Sequence, residues 1–291
     1  MKFFVADAFT NKPFLGNPAG VVILENQDNL SDSVMQNIAK EVRFSETAFV
    51  RSISKDEFDI RYFTPVAEVD LCGHATIGSF KVLEYLELVK AGCVYKAHTR
   101  AGIIDVSIEE GKVMMEQATP VMGEELEMDD IKKVAELLGI EEDEIGDRKY
   151  TLKPQAVSTG LWDLIVPVKS KQTLFSLSPD FDSISDYCRI NNIVSFHIFT
   201  LDETRALANC RDFAPLYGIP EESATGTANG ALIYYLYKHG IVEPEKMYEV
   251  IQGETMNRMS NIFAKVHLKD GEYKAYVGGD AKIVIEGSLL I

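Results

Sequence analysis

The chain has 291 residues, 46% of them hydrophobic and 25% charged, a composition that excludes both a disordered chain and a fibre. Its 29 Lys and Arg against 45 Asp and Glu give a formal net charge of −16, and no stretch is rich in Lys or Arg. Such a field repels phosphate backbones and anionic lipid, so neither nucleic acid nor a membrane surface is an expected partner. A small anionic or zwitterionic substrate stays compatible, because backbone N–H groups can bind one locally.

The opening MKFFVADAF meets an Asp after a short apolar run, too short for a signal-peptide core, and no run of about 18 apolar residues follows. Cys72, Cys93, Cys188 and Cys210 lie far apart with no CxxC pair, and the five histidines show no HExxH-like spacing. Neither a disulfide framework nor a metal site is therefore expected, and the reducing cytoplasm is the default compartment.

In chain order, residues 2–9 and 19–24 read as strands, β-branched or aromatic and often alternating. Between them Gly16-Asn17-Pro18-Ala19 reads as a turn, where Asn17 is either a loop residue or a donor and acceptor for a ligand. Ser33 and Gln36 form a possible capping box, and Val34, Ile38 and Val42 continue a helix ending near Glu41. Residues 58–63 read as a strand. After Gly73, apolar Ile77, Phe80, Leu83 and Leu86 recur every third position, which predicts a helix. Strands over 102–108 and 112–117 meet at a Glu109-Glu110-Gly111 turn. The charged stretch around 121–130 reads as a linker. Strands follow over 163–168 and 193–200, and a helix after Gly226 carries Ala228, Leu232, Tyr235 and Leu236 before Lys238, His239 and a stop at Gly240. Residues 262–268, 273–277 and 282–286 read as the remaining strands.

Two of these segments repeat. Arg61-Tyr62-Phe63-Thr64-Pro65 leads to Gly73 and a helix, and Arg211-Asp212-Phe213-Ala214-Pro215 leads to Gly226 and a helix. The repeat predicts two pseudo-symmetric halves, each presenting a helix N-terminus to one shared cleft. Free N–H groups and the positive dipole end would hold a carboxylate or a developing enolate there.

Several side chains near these features can carry chemistry. Glu46, in Phe44-Ser45-Glu46-Thr47-Ala48-Phe49-Val50, shares a face with Phe44, Ala48 and Val50 if the segment is extended. Apolar surroundings would raise its pKa and suit a general base, whereas the plain alternative is an exposed strand-edge Glu. His74, at a helix start, is expected neutral there and able to relay or orient a proton, or simply to cap or pack. Cys72 sits before that helix, where a thiol pKa falls, which would suit a thiol-based racemase. The repeat puts Thr225 at the partner position, no substitute for a thiolate, so a buried Cys72 without a catalytic role is expected. Glu222 and Thr227 flank the second helix start, as substrate contacts or as ordinary loop and helix residues.

Taken together, Asp7-Ala8-Phe9-Thr10, Gly16-Asn17-Pro18-Ala19, Ser45-Glu46-Thr47-Ala48-Phe49, Cys72-Gly73-His74-Ala75-Thr76 and Ala224-Thr225-Gly226-Thr227-Ala228 resemble the PhzF-like phenazine-biosynthesis family, with Ser158-Thr159-Gly160 and Gln252-Gly253 also fitting. The resemblance spans essentially the whole chain. It implies an α+β, diaminopimelate epimerase-like fold of two pseudo-repeated domains, each a mixed sheet curled around a central helix. The domains would be residues 1–120 and 121–291, with a last strand at about 280–291 returning to the first. It also implies a cytoplasmic homodimer and a cofactor-independent isomerase that moves a proton on a small amino- or carboxylate-bearing substrate; the founding activity acts on dihydro-3-hydroxyanthranilate. The family's base falls on Glu46 and its His on His74; Asn17, Gly73, Glu222, Gly226 and Thr227 would complete the substrate contacts. Glu222 and Thr227 replace the family's Asp and Ser, and Asn257 replaces a Gly. The alternatives are an amino-acid epimerase or racemase, and a non-catalytic binding protein on the same fold.

Overall fold

The computed structural model describes residues 1–25 and 27–291. In chain order it holds β1 (Lys2–Ala8), β2 (Asn17–Leu24), α1 (Asp32–Val42), β3 (Thr47–Ser52), β4 (Glu57–Phe63), β5 (Glu68–Val69) and α2 (Gly73–Tyr85). Then come β6 (Val94–Thr99), β7 (Gly102–Glu109), β8 (Lys112–Glu116), β9 (Val121–Glu125), α3 (Met128–Leu138), β10 (Gln155–Ser158) and β11 (Trp162–Pro167). The remainder is α4 (Lys171–Ser176), α5 (Phe181–Asn191), β12 (Ser195–Thr200), β13 (Ala208–Ala214), β14 (Ile219–Glu222), α6 (Gly226–Lys238), β15 (Tyr248–Gln252), β16 (Ser260–Lys269), β17 (Glu272–Gly279) and β18 (Ala281–Ser288). The chain divides into two compact units, Met1–Glu116 with Gly278–Ile291, and Gln117–Val277.

In the first unit the strands run β18-β1-β2-β3-β4-β6-β7-β8, with β2–β3 and β4–β6 parallel and the other neighbours antiparallel. The β7–β8 hairpin closes through Glu110 (φ 50°) and Gly111 (φ 78°), two left-handed residues whose twist matches that of the strands. Helix α2 touches β18, β1, β2, β3 and β8, so the sheet curls around it. A helix enclosed in this way must be apolar or have its polar side chains satisfied, and in the buried run from His74 to Phe80, with Val82 and Leu83, the Thr76 and Ser79 hydroxyls donate to the Cys72 and Ala75 carbonyls. Gly78 lets it close in, since a Cβ there would meet the Ala6 Cβ at 3.3 Å. On the outer face, Met35, Ile38 and Ala39 of α1 pack with Val22, Phe49 and Phe63. The cap of α1 is Ser31, whose side chain accepts from the Val34 N–H, instead of the box expected from Ser33 and Gln36. Gln36 instead reaches out of the helix and donates to the Thr64 carbonyl.

The second unit repeats the scheme. Its strands run β9-β10-β11-β12-β13-β15-β16, with β11–β12 and β13–β15 parallel. From β10 onward this is the antiparallel and parallel alternation of β1 to β7. Helix α6 touches β10, β11 and β16, while Val134, Leu138, Leu174 and Ile184 of α3, α4 and α5 pack on Leu164, Phe196 and Phe213. The stretch expected to be a linker is β9 and the start of α3. Its charges are surface residues, and Asp129 and Asp130 favour the positive end of α3.

The R-x-F-x-P repeat has a physical content in both units. Arg61 grips Glu68 through two bonds of 2.7 and 2.8 Å, and its guanidinium lies 5.2 Å from the Phe63 ring centre. Arg211 does the same with Glu221, at 2.9 and 2.8 Å, and lies 4.9 Å from Phe213. Each fork pins a short strand, β5 or β14, to its neighbour just before a central helix begins.

Candidate active site

Helices α2 and α6 start alike. Their caps, Cys72 (φ −142°, ψ 114°) and Thr225 (φ −122°, ψ 105°), are both extended, and neither side chain caps its helix. Apart from the Ala75 N–H, which faces the Cys72 sulfur, the cap side chains leave the first-turn N–H groups open, which suits an anionic ligand.

At the start of α2 the structure assembles residues from four segments. Arg43 ends α1 in the left-handed conformation (φ 61°), which turns the chain through Ser45 and Glu46 into β3. The Glu46 carbonyl accepts from Gly20 N–H at 3.1 Å, so its backbone is fixed to β2. Glu46 Oε2 lies 3.1 Å from His74 Nε2 as an ion pair, without the alignment of a regular hydrogen bond. Ser45 Oγ is 3.3 Å from His74 Nε2, while Cys72 Sγ and Asn17 Nδ2 lie 3.5 and 3.4 Å from His74 Nδ1. Glu46, Asn17, Gly73 and His74 thus stand together, with Cys72 and Ser45 added. The helix itself is tied down by Tyr62, whose hydroxyl is 2.6 Å from Thr76 Oγ1.

The electrostatics correct two expectations. Burial pushes the Glu46 carboxyl up, but His74, then Ser45 and Cys72, outweigh it and hold the pKa below its usual value. The apolar setting expected of Phe44, Ala48 and Val50 is overridden by a cation from another segment. Burial likewise disfavours a charged His74, yet its partners raise it well above the usual imidazole value. Cys72 heads those partners, but burial and Glu46 push its own thiol up to about 11, so near neutrality it carries no charge. With the thiol neutral, the Glu46 carboxylate is the charged partner left to favour an imidazolium at His74 against the cost of burial. An imidazolium has no acceptor site, so a protonated Nδ1 calls for the Asn17 amide oxygen, which a half-turn of the amide would bring to the place that Nδ2 holds.

In the second unit, Gly226 and Thr227 open α6, and the Thr227 carbonyl accepts from Thr159 Oγ1 at 2.9 Å. Glu222 Oε2 is 3.4 Å from Thr225 Oγ1, whose hydroxyl donates to Asp212 Oδ2 at 2.9 Å. Gln252 donates to the Glu222 carbonyl at 2.8 Å and to Thr225 Oγ1 at 3.1 Å. Asn257, outside these contacts, is left-handed (φ 55°), the conformation a Gly adopts without strain.

A polar array behind Thr225 was not legible in the sequence. Ser195 Oγ lies 2.8 Å from Asp163 Oδ1 and 2.9 Å from Asp212 Oδ1, and His197 Nδ1 lies 3.0 Å from Asp212 Oδ1. One hydroxyl has one proton, so it cannot donate to two carboxylates; one of the two acids must donate to it. Burial, followed by the Asp212 charge, raises Asp163 well above the usual range, which makes Asp163 the protonated member. The one signal available was the repeat: Asp212 takes the place of Tyr62, and each bonds a threonine of its helix start.

A separate pocket of about 370 Å³ in the first unit is lined by Ile23, Leu24, Val50 and Leu83 among others, and neither Glu46 nor His74 lines it. It is apolar on most of its lining and holds none of the groups described above.

Comparison with known proteins gives consistent likenesses. The PhzC-PhzF family, described as phenazine biosynthesis-like protein, matches residues 6–287. An uncharacterized isomerase of Clostridium acetobutylicum is 33% identical, over 98% of this chain and 96% of that protein. A PhzF-family phenazine biosynthesis protein of Bacillus anthracis has a crystal structure similar to this one, with a TM-score of 0.86 and 30% identity over 100% of this chain and 99% of that one. A predicted epimerase of Pseudomonas aeruginosa shares the fold, with a TM-score of 0.82 at 22% identity over 100% and 99% of the two chains.

Proposed function

The chain belongs to the PhzC-PhzF, phenazine biosynthesis-like family and is an isomerase of the α+β, diaminopimelate epimerase-like fold, and from that premise we propose that Glu46 is its proton-transferring residue. The observation that carries this reading is the ion pair of Glu46 with the buried His74 at 3.1 Å. A carboxylate held below its usual pKa is unprotonated near neutrality, the state a general base requires. Its proton affinity then rises when the neighbouring imidazolium gives up a proton or turns its charge to a ligand. Glu46 takes a C–H proton next to a carboxylate or along a conjugated system, and returns it to another carbon.

The uncapped start of α2 supplies N–H groups from Gly73 onward for the charge that develops on the substrate. His74 holds the substrate's anionic group or relays the proton. Asn17 orients His74. Gly226 and Thr227 at the second uncapped start, with Glu222 beside them, are assigned to substrate binding on the same grounds. No cofactor takes part in this scheme; the proton is the only species moved.

The substrate class follows from the groups: a small molecule bearing an amino or carboxylate group, with an acidic C–H beside it. Glu222 reaches about one bond further than the Asp it replaces, and Thr227 adds a methyl, so these two contacts differ from those of the founding phenazine enzyme. An epimerase reading has Cys72 in its favour, at the helix start where a thiol base would stand. A two-thiol version lacks its second member, because Thr225 occupies the matching position.

The test is a screen in D₂O. Small amino acids and unsaturated cyclic carboxylates are incubated with the protein and followed by proton NMR. Loss of a C–H signal with appearance of a shifted double bond supports isomerisation; exchange at one stereocentre with loss of optical purity supports epimerisation. Absence of exchange in every member of both classes contradicts the reading.

A further inference from the structure

We propose that Glu46, Cys72 and His74 form a capture site for a thiophilic divalent cation, with Zn²⁺ the best fit, and that the bound ion occludes the Glu46 carboxylate. The ligand atoms are a carboxylate oxygen, a cysteine sulfur and an imidazole nitrogen, all within 4.8 Å of one another. Glu46 Oε2 stands 3.1 Å and Cys72 Sγ 3.9 Å from His74 Nε2. Bonds of about 2.0–2.3 Å in a tetrahedron around zinc place neighbouring ligand atoms roughly 3.3–3.8 Å apart. The three atoms reach that spacing through side-chain adjustments of less than an ångström or so.

Three further features fit a cation. Glu46 Oε2 is buried and its 3.1 Å ion pair with His74 lacks hydrogen-bond alignment, so a metal bond would give the atom a directed partner. With Nε2 on the metal, Nδ1 carries a proton and needs an acceptor; the Asn17 amide, whose Nδ2 stands 3.4 Å from Nδ1, supplies its oxygen once the amide is turned about, the outer support that metal-bound histidines require. Thiolate and carboxylate together balance the two charges of the ion. Three protein ligands leave the fourth position to water or a substrate carboxylate. On binding, the Cys72 thiol proton and the additional imidazolium proton leave to solvent, and no electron moves. Linear spacing gives no hint of such a site, because Glu46 comes from a different segment than Cys72 and His74.

Cation capture rests on this geometry alone, while occlusion of the base rests on the role proposed for Glu46. The experiment separates them. Zn²⁺ is titrated by calorimetry against the wild type, Cys72→Ala, Cys72→Ser and Asn17→Ala, and Co²⁺ is added in parallel to read sulfur-to-cobalt charge-transfer absorption. Circular dichroism checks that each variant is folded. The expected result is one Zn²⁺ per chain, a thiolate-cobalt band, loss of the band in both Cys72 variants, and affinity weakened about 10–100-fold in Asn17→Ala. Mg²⁺, which prefers oxygen ligands, should not compete. Zinc affinity unchanged in both folded Cys72 variants, or a cobalt complex without the thiolate band, overturns capture. Deuterium exchange that continues unchanged with Zn²⁺ bound overturns occlusion and leaves capture standing.

Discussion

His74 Nε2 lies 3.1 Å from Glu46 Oε2 in a setting where the histidine is buried and the glutamate nearly so. Two opposed shifts define what this pair does to stability. His74 is raised above 6.5, so its contribution is complete below 6.5 and is lost as pH rises through the folded value. Glu46 is lowered below 4.5, so its contribution is complete above 4.5 and is lost as pH falls through the folded value. The melting-temperature difference between the wild type and Glu46→Gln/His74→Gln should therefore be greatest across pH 4.5 to 6.5 and shrink on both sides. A difference that keeps growing into the alkaline range would contradict the imidazolium assignment.

Asp163 gives a prediction of opposite sense to the usual carboxylate. Its folded pKa is raised above 3.8, so the fold is fully supported below that value and loses stability as pH climbs through the raised one. Asp163→Asn keeps a donor toward Ser195 and removes the titration. The variant should match the wild type near pH 3.8 and become progressively the more stable of the two as pH rises. Thermal melts over a pH series decide this; a variant that loses stability at every pH would show that Asp163 is needed as an anion.

The two Arg–Glu forks are alike in geometry and different in burial. The Arg61 side chain is 27% exposed and that of Arg211 is 9% exposed. Removing Arg211 strands Glu221 in a drier setting and also leaves the carbonyls of Leu174 and Leu177 without their donor. Arg211→Ala should cost about 3–5 kcal/mol and Arg61→Ala about 1 kcal/mol or somewhat more, read from urea unfolding midpoints. Equal losses would mean that burial does not govern these forks.

The repeat, the central helices and the residues beside them were legible because they rest on local signals. Arg, Phe and Pro at fixed spacing and a Gly before an apolar helix are readable in one pass along the chain. The charge states of Glu46 and His74 were not, since each depends on a partner from another segment, brought close by the packing of α2 against β2 and β3. The Asp163, Ser195 and Asp212 array escaped for the same reason: its members sit on three different strands and meet only by register. The segment at 121–130 misled in a different way. Exposed strand and helix-start residues have the charge of a linker, and only pairing with β10 identifies the strand.

Cys72 separates the isomerase account from a thiol mechanism. With its thiol pushed up to about 11 and the side chain buried, it supplies packing. Cys72→Ala should lower the melting temperature modestly and change turnover by less than about tenfold, whereas loss of a working general base costs about 10²–10⁴-fold. A loss in that upper range would point back to a racemase.

The central claim is that Glu46 moves the proton, and deuterium wash-in tests it most directly. A substrate found in the D₂O screen is held at saturating concentration with the wild type or with Glu46→Gln, and incorporation is followed by NMR. The amide keeps the shape of the side chain and removes the proton acceptor, so the substrate should bind with similar affinity while wash-in falls by about 10⁴-fold, the upper end for a general base. Wash-in at the wild-type rate in Glu46→Gln would contradict the account and pass the role to His74.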